Sequence, residues 1–226
     1  MRSRATGMAV AVVFSLLALG TSPATAQPLT LVDQERYVSG FVFVPQCGGS
    51  DAENETATGF EPFTALASAA LSCELASGVA SAQQRSLLGM QTLRADGQAA
   101  SQTAAKQSNV IHAVANSFFE VVFAVEAPTP FRLRGRLRAV GSAPFLLGGA
   151  QVRLTGPGGA VIFDELVVPG PSGELTVLAI DETGELEPGT YVLRATADTV
   201  INNEVPPDRF GLASYRVVFD ATPASS

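Results

Sequence analysis

The chain has no tryptophan, three tyrosines, one histidine and two cysteines, and each shortage removes a class of function. With His112 as the single imidazole, any histidine-dependent triad must use it. No G-x-S-x-G elbow or catalytic cysteine stands beside it, so acyl-transfer chemistry has no visible nucleophile. Beside Ile111 and Val114, His112 reads as an ordinary strand residue. Zinc-type chemistry lacks ligands, since one histidine and two cysteines outside any C-x-x-C spacing do not make the usual set. Basic charge is also short: 14 Lys and Arg face 21 Asp and Glu, a formal net charge of −7. That balance argues against nucleic acid, whose phosphates require a basic footprint, and against adsorption to anionic lipid.

Long apolar runs are missing except at the start. Arg2 and Arg4, the run Met8 to Leu19 broken by Ser15, and the small-residue site Ala24-Thr25-Ala26 read as a secretory signal peptide over residues 1–26. The run is too short for a membrane anchor. The expected product begins at Gln27 and is secreted, or alternatively periplasmic, with no membrane anchor. Without Arg2 and Arg4, twelve basic and 21 acidic side chains leave it at about −9. In an oxidising compartment Cys47 and Cys73 are expected to pair, contributing roughly 3–4 kcal/mol by chain entropy.

What is abundant points to one fold class. Nearly half the chain is hydrophobic, with 13 Phe, 21 Gly and 14 Pro, enough apolar surface for one core and enough turn formers to punctuate short strands. Tyr37 to Val44 reads as a strand ended by Pro45, and Gln46 to Glu61 as a polar loop. Residues 63–107, rich in Ala, Ser and Gln, fit either period. With period two, Phe63, Ala65, Ala67, Ala69, Leu71, Cys73 and Leu75 share a face; as helix, Ala, Gln and Leu have the better propensity. Extended structure is favoured because Gly78, Gly89 and Gly97 interrupt at strand-like intervals. Further on, Ser117 to Glu126, Phe131 to Ala139, Ala150 to Thr155, Ala160 to Val168, Glu174 to Ile180, Thr190 to Val200 and Leu212 to Ala221 read as strands. The expectation is an all-β, antiparallel two-layer β-sandwich, jelly-roll-like, of about ten strands. It occupies residues 27–222, with a disordered tail at 223–226.

Two strands carry the sharpest local pattern. Phe119, Val121, Phe123 and Val125 alternate with Glu120, Val122, Ala124 and Glu126; Phe131, Leu133, Gly135, Leu137 and Ala139 alternate with Arg132, Arg134, Arg136 and Arg138. A hairpin turning at Thr129 would pair Glu126 with Arg132 and Glu120 with Arg138, and would seat the Phe123 ring over Gly135. It would leave Arg134 and Arg136 for a ligand such as an acidic polysaccharide. The plainer reading is a solvated strand face, as alternation alone requires. Calcium suits the sequence better than any transition metal, because acidic loops can supply its oxygen ligands, with Asp181, Glu182 and Glu185 as candidate ligands and Asp51 to Glu55 as a second acidic stretch; neither fits D-x-[DN]-x-[DN]-G. No cofactor is otherwise expected. Asn54-Glu55-Thr56 is formally a glycosylation sequon, and Pro188-Gly189 marks a turn, after which Tyr191, Leu193 and Ala195 alternate inward.

Ser117-Phe118-Phe119-Glu120-Val121-Val122-Phe123, Pro130 to Leu137, Val152-Arg153-Leu154-Thr155-Gly156 and Leu186-Glu187-Pro188-Gly189-Thr190-Tyr191 together resemble bacterial exported β-sandwich proteins that often carry a PEP-CTERM sorting signal. The resemblance spans about Gln34 to Thr222. It implies association with exopolysaccharide and biofilm matrix and brings no catalytic residues. The chain departs from that pattern by ending at Thr222-Pro223-Ala224-Ser225-Ser226 without the sorting motif, so anchoring is not expected. The functional expectation is a non-enzymatic protein binding or structuring extracellular polysaccharide or matrix. The alternatives are a jelly-roll hydrolase or lyase acting on acidic glycans with a carboxylate pair, and a subunit pairing edge to edge.

Overall fold

The computed structural model describes residues 29–106, 110–142, 146–203 and 208–221. The expected signal peptide and the tail at 223–226 lie outside them. Among the described residues twelve strands follow one another: β1 (Thr30–Val44), β2 (Gly49–Thr56), β3 (Phe63–Ser72), β4 (Ala76–Leu88), β5 (Thr92–Ala105), β6 (Ile111–Val125), β7 (Thr129–Gly141), β8 (Leu146–Thr155), β9 (Val161–Val167), β10 (Thr176–Leu186), β11 (Gly189–Asn203) and β12 (Arg209–Asp220). They form two antiparallel six-stranded sheets, β2-β1-β6-β11-β8-β9 and β10-β7-β12-β5-β4-β3, packed face to face. The all-β sandwich is as expected, with more strands than about ten. Residues 63–107 supply β3, β4 and β5, and the segment read as a polar loop contains β2, an edge strand exposed along its length apart from half-buried Gly49.

Period-two burial builds the core. Along β6 every odd-numbered residue from Ile111 to Val125 is buried, and along β7 Phe131, Leu133, Leu137 and Ala139 are buried while their arginine neighbours are exposed. At the core's centre the ring of Phe219 lies 5.2 Å from that of Phe123 and 5.6 Å from that of Phe131, and Tyr191 stacks on Phe123 at 5.7 Å. The other end of the sandwich is filled by small side chains, Ala67, Ala69, Ala80, Ala82, Ala113 and Ala115 among them. There the sheets come so close that a Cβ on Gly40 would meet the Ala80 carbonyl oxygen at 2.9 Å.

The hairpin read between β6 and β7 does not form. β6 pairs with β1 and β11, β7 with β10 and β12, and the chain crosses from one sheet to the other through Glu126-Ala127-Pro128. Pro128 and Pro130 carry no N–H, so the bonds that would close a hairpin there are missing; Thr129 turns back on itself, its hydroxyl donating to the Ala127 carbonyl at 2.7 Å. The inward faces survive because they meet across the core instead of side by side. Gly135 also has another reason than room for Phe123: a Cβ there would meet the backbone oxygen of Arg216 on the neighbouring strand at 2.4 Å.

Cys47 and Cys73 form the expected disulfide, Cα to Cα 5.4 Å. It joins the 3₁₀ turn Pro45–Cys47, which Gly48 ends in the left-handed region at φ 80°, to the β3–β4 turn, and so bridges the two sheets.

Candidate functional site

Four of the second sheet's strands, β7, β12, β5 and β4, set the site, because their outward positions fall into rows across the sheet. One row runs Arg136, Arg216, Asp96, Arg85. The next in one direction runs Arg134, Val218, Arg94, Leu87, and in the other Arg138, Ser214, Gln98, Gln83. Except for Leu87, these residues line an open depression of about 1130 Å³ that holds, among the described residues, six arginines and one acid, Asp96. A chain of net charge −7 thus concentrates six of its 14 basic side chains on one face.

The ion pairs here replace those read from the sequence. Arg132 and Arg134 reach diagonally, Arg132 to Asp181 by two bonds of 2.8 Å and Arg134 to Asp220 at 2.5 Å. Glu120, expected opposite Arg138, lies in the other sheet and accepts from Arg194 Nε at 2.6 Å. Hydrogen bonding to Asp181 raises the Arg132 pKa and lowers that of Asp181; bonding to Asp96, 2.5 Å away, raises that of Arg216. Of the two arginines singled out in the sequence, Arg136 has no ion pair among the described residues, whereas Arg134 is engaged by Asp220. Arg85, Arg94 and Arg138 likewise have no ion pair among the described residues.

The calcium candidates are dispersed. Asp181, Glu182 and Glu185 stand on strand β10, not on a turn; Asp181 is held by Arg132, and Glu182 points to the opposite face of the strand. Asp51 and Glu53 are engaged by backbone amides. Among the described residues no group of three or more His, Cys, Asp or Glu is arranged to hold a metal. His112 stacks on Phe43 at 6.1 Å and hydrogen-bonds Asn202 at 2.6 Å, on the outer face of the first sheet. On that same face burial raises the pKa of Asp198, which accepts from Asn116; it stands on the opposite sheet from the arginine depression.

Two buried polar features escaped the sequence reading. Arg36 is fully buried with no carboxylate against it: Nε donates to Gln34 at 2.7 Å, one terminal nitrogen to Ser86 at 3.1 Å, and the other to the carbonyls of Gly59 and, at 3.0 Å, Glu61. Desolvation lowers its pKa. Between the sheets, Gln84 donates to the Tyr215 hydroxyl at 2.8 Å and to the Phe118 carbonyl at 2.7 Å, and the absence of a side chain at Gly97 makes room for the Tyr215 ring.

No helix among the described residues is long and apolar enough to cross a membrane. No family model matches the chain, and no curated protein matches it. Among solved structures it is similar to a chain of infectious bursal disease virus Gx strain, with a TM-score of 0.29 and 10% identity over 88% of this chain and 58% of that one. It is also similar to one of the Gt strain, with a TM-score of 0.26 and 10% identity over 90% of this chain and 63% of that one, so it spans about three fifths of either viral chain.

Proposed function

We propose that this chain is an exported, non-enzymatic β-sandwich that binds or structures acidic polysaccharide of the extracellular matrix through the arginine depression on its second sheet. The observation that carries this reading is the concentration of six guanidinium groups around one acid in an otherwise acidic protein. Arginine's planar fork donates two parallel bonds to a carboxylate or sulfate, and neighbouring Gln83, Gln98 and Ser214 offer hydrogen-bonding partners to sugar hydroxyls. The disulfide is compatible with an oxidising compartment. The resemblance to exported matrix-associated sandwiches leads in the same direction. The carboxylate-pair enzyme has less support, since the single acid lining the depression, Asp96, is already held by Arg216.

The test is a glycan array probed with the protein from Gln27 onward, at low and at physiological ionic strength, followed by titration of the best acidic ligand. Exposed guanidinium groups predict binding to acidic glycans that weakens steeply with salt, and loss of most of it in an Arg85→Ser/Arg136→Ser variant. Absence of acidic-glycan binding at low salt, or unchanged binding by the variant, overturns the proposal.

A further inference from the structure

The layout of the depression also carries an inference about the ligand's direction and charge spacing, which rests on the reading above. A ligand could follow β7, along Arg132, Arg134, Arg136 and Arg138, or cross the strands. The first path is neutralised at one end, where Asp181 and Asp220 hold Arg132 and Arg134. The second begins at Arg136 and Arg138 on β7 and ends at Arg85 and Arg94 on β4 and β5, four cations without an ion pair among the described residues. From Arg136 to Arg85 there are three strand spacings, about 14 Å at roughly 4.8 Å each.

Between these two cationic margins lies the Arg216–Asp96 pair, flanked by uncharged Gln98, Ser214 and Gln83. An anionic group directly over it would meet the Asp96 carboxylate, whereas a neutral sugar would meet amide and hydroxyl groups. We infer that the ligand is an acidic polysaccharide lying across the strands, whose charged residues are interrupted by neutral ones, with Asp96 acting against polymers charged at every residue. Asp96 is a selectivity element because like charges in contact cost binding, and because its removal would also release Arg216.

The probes are hyaluronate oligosaccharides, charged at every second sugar, and oligogalacturonates of equal length, charged at every sugar, titrated into the wild type and into Asp96→Asn, Arg85→Ser and Arg136→Ser. Asp96 is exposed, so Asp96→Asn is expected to keep the fold, as circular dichroism would verify. The wild type should bind hyaluronate more tightly. Asp96→Asn should tighten oligogalacturonate about fourfold, the effect of one screened charge at contact distance, and leave hyaluronate nearly unchanged. Each arginine variant should weaken both ligands. If Asp96→Asn has no effect, or tightens both ligands equally, or if the wild type prefers oligogalacturonate, the charge-spacing inference falls while the arginine losses still uphold polysaccharide binding. If the wild type binds neither these probes nor any acidic glycan on the array, the function itself falls.

Discussion

The Asp51 carboxylate accepts the backbone N–H of Ala70 at 2.8 Å, although Asp51 lies on β2 and Ala70 on β3, the edge strands of different sheets. Glu53 takes the N–H of Ser68 in the same way, at 2.5 Å. An edge strand exposes unpaired amides that invite another chain, and inward-pointing carboxylates are one way of occupying them. Asp51 and Glu53 of the acidic stretch are therefore accounted for by edge closure.

Replacing both acids by alanine should cost roughly 1 kcal/mol for each lost bond and open the β3 edge to self-association. Thermal melting and light scattering against concentration would check this. A variant that melts like the wild type and stays at the same mass contradicts it.

Tyr215 predicts a response to alkali. Its hydroxyl is enclosed between Gln84 and Ser117, and burial pushes its pKa well above the ordinary 10.0. Because the folded value is raised, the associated stability is complete below pH 10 and is lost as pH climbs from there toward the folded value. Phenolate absorbance should show Tyr37 and Tyr191, whose pKa values are also raised, ionising before Tyr215, which should titrate together with loss of structure. Tyr215→Phe should remove that coupled step.

Arg36 predicts a large effect on stability. Arg36→Ala leaves Ser86 and the carbonyls of Gly59 and Glu61 without their donor, a loss of about 3 kcal/mol for a buried charged network. Arg36→Lys should recover part of it, having charge but no fork. Urea unfolding of the three proteins would rank them, and equal stability of Arg36→Ala and wild type would refute the role.

The fold was legible wherever large side chains alternate with polar ones. β6 and β7 were assigned to the right faces because Phe and Val on one side and Glu and Arg on the other leave no choice of which side is buried. Their partners were not legible. Charge complementarity between neighbours in sequence suggested Glu120 with Arg138, yet Arg194, Asp181 and Asp220 on distant strands offer the same complementarity, and the prolines at 128 and 130 turn the chain to the other sheet. The candidate site was half visible for the same reason. Arg134, Arg136 and Arg138 stand out in β7, whereas Arg85 and Arg94 lie in the alanine-rich segment whose period was ambiguous. In β5 the inward residues Leu93, Ala95, Gly97 and Ala99 are mostly small because the opposing sheet is close, so the contrast that marks a strand is faint there. Arg36 gave no signal, since its burial depends on Ser86 of a distant strand and on the carbonyls of a loop more than twenty residues away.

The Cys47–Cys73 bond closes a segment with a sequence separation of 26, worth roughly 3.6 kcal/mol of restricted freedom in the unfolded chain. Under reducing conditions both thiols stay open and that restriction is absent, so the unfolded polypeptide has more freedom to lose on folding than under oxidising ones. Oxidation then acts as a latch on the folded state. Melting the protein with and without dithiothreitol measures the size of that asymmetry directly, and identical midpoints would mean there is no latch.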